Sequence, residues 1–166
     1  TNLFAGYDKQ KELLVSTAKL NGGIDNETLQ TDLEKLTIDT FSSQVSAPEL
    51  KVMLDSIPGE IQLHDANAMI QQEPRNLLFA LKDAKNFPDI TYENKVKLMN
   101  QAKLVLAPQI NDQWNNVLAA SAAGKDIPYF DMDLAKEVLP ADKINKYMQK
   151  KYIIDTTVDN KKILFS

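Results

Sequence analysis

The 166 residues carry 43% hydrophobic and 25% charged side chains, which suits a chain that folds around a core and argues against disorder. With no cysteine there is neither a disulfide framework nor a thiolate metal site, and a formal net charge of −4 is far from a nucleic-acid footprint. No apolar run approaches the roughly 18 residues needed to span a bilayer, and no signal-peptide pattern opens the chain.

Asn2 to Leu20 is predicted to form the first helix. Leu3, Tyr7, Leu14 and Ala18 fall on one face, and Asn21-Gly22-Gly23 is a stop because glycine accepts the left-handed cap. Asp25 caps a second helix, and Ile24 and Leu29 have the spacing of a hydrophobic staple. Leu29, Leu33, Leu36 and Thr40 form its stripe, which Phe41 and Val45 extend. Ser46-Ala47-Pro48-Glu49 reads as a capping box with Val45 and Leu50 as staple, and Pro48 is tolerated in the first turn. The helix it opens is short, Ala47 to Ser56, with Ile57-Pro58-Gly59 closing it.

A fourth helix is expected from His64 or Asp65 to Gln72, and Glu73-Pro74 marks a break because the residue before proline is pushed out of the helical region. The fifth runs from Pro74 to about Lys85 and buries Leu77, Leu78 and Leu81. After the loop Phe87-Pro88-Asp89, Thr91 caps a long helix from Tyr92 to about Ala123, with Gly124 as its stop. Its roughly 32 residues would span nearly 50 Å if continuous, and Pro108 is expected to kink it or split it. Ile127-Pro128-Tyr129-Phe130 reads as extended, Asp131 or Asp133 caps a helix through Val138, and a last helix follows Leu139-Pro140 to about Ile154. Thr156 to Phe165 is a candidate hairpin around Asp159-Asn160. The fold class is therefore all-α, a bundle of about seven to nine helices. Residues 1–166 read as one domain with candidate sub-lobes 1–63 and 64–155. Thr1 at the start and the apolar Ile163-Leu164-Phe165 before Ser166 lead us to expect a fragment of a longer chain.

Charge is uneven along the chain. Residues 1–70 hold 5 basic and 11 acidic residues, net −6, and residues 71–166 hold 14 and 12, net +2. That asymmetry suits orientation against a protein partner.

Each candidate for chemistry has a plainer structural reading. His64, the only histidine, is a general base by residue type, but it stands at an expected helix start beside Asp65 with no triad spacing. Glu60, Glu73 and Glu93 lie near apolar residues, as the acid of a glycan hydrolase must; each also fits a turn, a helix boundary or a first turn favoured by the dipole. Asp131-Met132-Asp133 lacks the glycine and glutamate of a calcium loop, since Lys136 and Asp142 stand in those places, and reads as a cap. Lys143, Lys146, Lys150 and Lys151 give the last helix a basic side opposite Ile144, Tyr147 and Met148. A solvated face explains them better than phosphate or lipid binding, and the only arginine is Arg75. Trp114, Tyr92, Phe79 and Phe87 are expected in the core rather than in a ligand cage. Ala119-Ala120-Ser121-Ala122-Ala123 permits either close helix approach or a self-association seam.

From Asp65 to Tyr152 the order of signals is distinctive: Ala68 and Ile70, the Glu73-Pro74 break, Leu77 and Leu81, then Asn86-Phe87-Pro88-Asp89-Ile90-Thr91. Glu93, Lys97-Leu98, Ala102 and Leu106 follow, and then Asp131 to Ala141 with its Leu-Pro step. This resembles helical segments of long tailed-phage and prophage virion proteins: internal, ejected or tail-associated polypeptides that often also carry a separate transglycosylase or peptidase domain. The resemblance covers about half the chain and rests on helix punctuation. It implies a non-catalytic helical region of a larger structural protein, virion-associated or in the bacterial cytoplasm, with no catalytic, cofactor or metal residue to carry over.

The leading expectation is thus a structural or interaction module whose partner is protein, through self-association or virion assembly, and not nucleic acid. A helical peptidoglycan hydrolase would instead need a deep cleft with a buried Glu. A small acidic binding or inhibitor protein would need an exposed apolar patch rimmed by acids.

Overall fold

The computed structural model describes residues 2–20 and 25–165, with the backbone alone for Leu20 and 159–165. The described residues form eight helical segments and no strand. These are α1 (Asn2–Leu20), α2 (Asn26–Phe41), α3 (Ala47–Asp55), α4 (Ile57–Gln72), α5 (Pro74–Lys82), α6 (Tyr92–Ala122), α7 (Met132–Val138) and α8 (Ala141–Phe165). Because α3 and α4 are two arms of one bent helix, 47–72, these amount to seven helices. They fall into two compact units, Thr1–Met69 with Ala80–Lys97 and Ile70–Phe79 with Leu98–Ser166.

The first unit is built from polar caps and an aliphatic core. Asp25 sits in extended backbone and its carboxylate accepts from the Thr28 amide at 2.7 Å, satisfying one orphan donor of α2. Ser46 does the same for α3, accepting from the Glu49 amide at 3.3 Å. The expected stop at Asn21-Gly22-Gly23 and the Ile24 half of the staple lie outside the described residues. Ala18, Leu29, Leu33, Ile57 and Ile61 pack together, with Leu14, Val15 and Leu54 against them. Beside this core Tyr7 stands edge-on to Phe41, with ring centroids 4.8 Å apart. The fully buried Thr37 donates to the Leu33 carbonyl at 2.7 Å, so the Tyr7 hydroxyl, 2.8 Å away, is the donor to Thr37 Oγ1.

Ile57-Pro58-Gly59 does not close a helix as expected; it opens α4, which starts seven residues ahead of His64. Ser56 keeps helical backbone angles, φ −79° and ψ −16°, so the chain bends without leaving the helical region. Pro58 has no N–H for the carbonyl of Leu54, which accounts for the bend. The buried side chains of Ile57 and Ile61 hold the new arm in the core. Gly59 serves a close approach rather than a stop: a Cβ there would meet the Asp89 carbonyl oxygen at 2.6 Å. One turn on, Gln62 clamps the same residue, donating to the Asp89 carboxylate at 2.7 Å and accepting from its amide at 2.9 Å.

α5 ends at Lys82, short of the expected Lys85. Asn86 reaches back to the Ala80 carbonyl at 3.1 Å, Asp83 accepts from the Lys85 amide at 3.0 Å, and Phe87 adopts a positive φ of 51°. Thr91 caps α6 through the Asn94 amide at 3.2 Å, and Gly124 follows its end at φ 66°. Pro108 does not split α6. It lies on the exposed side, as does Leu104, whose carbonyl loses its partner, so water can take the place of that hydrogen bond. Leu98, Ala102, Leu106, Ile110, Trp114 and Val117 bury the other side at helical spacing.

The tail is helix, not hairpin: α8 continues to Phe165. Asp159-Asn160 has no glycine to supply a cheap positive φ. Thr156 and Thr157 turn their hydroxyls onto the carbonyls of Tyr152 and Ile153 at 2.7 and 2.8 Å, and Lys151 pairs with Asp155 at 2.7 Å.

Candidate functional site

In the second unit Asp131 and Trp114 organise the side chains with most to offer chemically. Asp131, 8% exposed, accepts from the Leu134 amide at 3.0 Å through one oxygen and from Arg75 Nε at 2.8 Å through the other. It is thus both the cap of α7 and the ion-pair partner of the only arginine, whose guanidinium also lies 4.9 Å from the Phe79 ring centroid. A carboxylate with both oxygens committed in this way is a structural pin. Asp133 stays exposed in the first turn of α7, so the two acids do not converge on a metal site. Among the described residues no group of three or more His, Cys, Asp or Glu is placed to hold a metal ion.

Trp114 stacks on Tyr147 with centroids 4.5 Å apart and planes at 16°, and Phe130 meets it edge-on at 5.2 Å. These two rings, rather than Tyr92, Phe79 or Phe87, surround Trp114. Tyr92 is 83% exposed, and Phe79 and Phe87 are half-buried. The spacing of α6 points to Trp114 as core, but partners in α8 and in the segment before α7 leave no local signal. Asn111, one turn earlier on α6, accepts from both Tyr147 Oη and Lys143 Nζ at 3.1 Å. The cluster is packed by its own members, which makes it a core joint between α6 and α8 rather than a cage.

The four lysines expected to form the basic side of α8, Lys143, Lys146, Lys150 and Lys151, therefore divide. Lys143 is tied to Asn111 and half-buried Lys151 to Asp155, leaving Lys146 and Lys150 on the exposed face. Between and beyond them Met148, Tyr152 and Ile153 are 44%, 72% and 56% exposed, although Ile144 and Ile154 on the same helix are buried. Alongside runs a groove of about 810 Å³ between the end of α6 and α8, with Ile127, Ile153, Ile154 and Val158 among its lining. Of the small-residue run, Ala119, Ala122 and Ala123 are exposed and Ala120 and Ser121 are half-buried.

The first unit holds the remaining candidates. His64 Nδ1 is shielded from solvent and lies 4.0 Å from Asp65 Oδ1, too far for a hydrogen bond. Asp65 is already engaged, by Lys19 Nζ at 2.7 Å and by the Asn26 side-chain amide at 3.0 Å. Glu60 is half-buried and paired with Lys11 at 3.0 Å, and Glu93 is exposed and 3.5 Å from Lys97. In the second unit Glu73 is exposed. None of the three is buried, which is the setting an acid catalyst with a raised pKa would need. A shallower groove of about 420 Å³ lies between α2 and the start of α4, where Glu27, Glu34 and Asp89 surround Pro58 and Ile61. No helix among the described residues is long and apolar enough to cross a membrane.

No protein-family model matches the chain, and no curated protein or solved structure is significantly similar to it.

Proposed function

We propose that this chain is a non-catalytic helical module that works by binding protein, as one segment of a larger assembly. The observation that carries this reading is the exposure of apolar side chains on α8, where Met148 and Tyr152 stand exposed one turn apart and Ile153 stands exposed at the edge of the groove beside Lys150. Covering a side chain of this size removes apolar area from water and stabilises by about 1.5–3 kcal/mol when burial is complete. Tyrosine and methionine are enriched where proteins meet, and lysines suit the wet rim of such a contact better than its centre. The narrower form of the proposal, a region of a phage or prophage virion-associated protein, rests on the punctuation of Asp65 to Tyr152 alone.

Light scattering across a concentration series, on the wild type and on a Tyr152→Ser/Ile153→Ser variant, tests the assembly reading. A defined multimer is expected for the wild type, with dissociation moved at least about tenfold higher in concentration by the double substitution, the equivalent of about 1.4 kcal/mol. Circular dichroism should be unchanged, since both side chains are exposed. A wild type that stays monomeric throughout overturns self-association. The reading favoured by the acidic groove at Glu27, Glu34 and Asp89, a binder of a basic partner, would then take its place.

A further inference from the structure

We draw no further inference here: the strongest candidate, the groove between the end of α6 and α8 where Ile127, Ile153 and Ile154 lie beside Lys125 and Lys150, also carries Asp126 and Asp155, so its charges balance and nothing in the structure shows what covers it.

Discussion

Leu29, Leu33, Ile57 and Ile61 hold the first unit together mainly by apolar contact, with the hydrogen bond from Tyr7 to Thr37 buried beside them, and ion pairs such as Lys11 with Glu60 and Lys19 with Asp65 stay at its partly exposed rim. The second unit brings more directional groups inside: a tryptophan stacked on a tyrosine, an asparagine serving two donors, and a nearly buried aspartate tied to an arginine and a helix end. Apolar contact specifies volume and tolerates swaps that conserve it, whereas stacked rings and shared acceptors specify distance and angle. Substitutions of similar size should therefore be felt unequally in the two units.

The largest effect is expected at the stack. Trp114→Ala should cost about 3–5 kcal/mol, because it removes a buried ring that touches two others and leaves a cavity between α6 and α8. Leu33→Met, which conserves volume in the first unit, should cost less than about 1.5 kcal/mol. Urea unfolding followed by far-ultraviolet circular dichroism measures both, and similar costs would erase the contrast between the units.

Asp131 separates the two halves of its own role. Asp131→Ala removes the cap and the ion pair together and should cost about 2–3 kcal/mol, moderated because the Arg75 side chain is half exposed. Asp131→Asn keeps an acceptor for the Leu134 amide while removing the charge that faces Arg75, and should cost about 1–2 kcal/mol. An alanine variant as stable as the wild type would show that α7 needs neither.

In the first unit the most sensitive point is a backbone contact. Gly59→Ala should destabilise by about 1–3 kcal/mol, since the new methyl meets a carbonyl oxygen that cannot rotate away. Amide exchange around Asp89 should quicken along with the fall in melting temperature. An unchanged melting temperature would mean that the loop gives way without cost.

These sites also show how far the chain could be read without its fold. Asp25, Ser46, Glu73-Pro74 and Thr91 mark their helix boundaries in sequence because a cap acts on amides two or three residues away, within reach of any local pattern. Gly59 could not be read that way: Pro-Gly after an isoleucine has the form of a stop, and its purpose depends on Asp89, thirty residues on. Pro108 has the form of a break, yet the side of α6 on which it lies decides the outcome. The α8 face was only half legible. Its lysines follow a helical period, but which are free depends on Asn111 of α6, and Met148 belongs with the exposed residues rather than with Ile144 and Tyr147. Recognition of a site would have required a group whose chemistry its surroundings alter, and the carboxylate with the clearest such change is a cap.

That carboxylate is Asp25, and it gives the smallest and cleanest test. The Thr28 amide, and then the Thr28 hydroxyl, hold its pKa below the ordinary aspartate value by bonding the charged form. A value lowered in the folded state means that the stabilisation is complete above the unfolded-state pKa and is lost as pH falls through the folded-state value. The Thr28 amide proton should therefore titrate in acid with a midpoint below that of an ordinary aspartate, and its exchange should quicken over the same interval. Asp25→Asn keeps an acceptor at the cap and should flatten both curves while leaving α2 formed at neutral pH. A Thr28 titration centred at or above the ordinary value would mean that the cap does not favour the charged carboxylate. The start of α2 would then owe more to packing than to charge, and the contrast with Asp131, where the cap is buried and paired, would be sharper still.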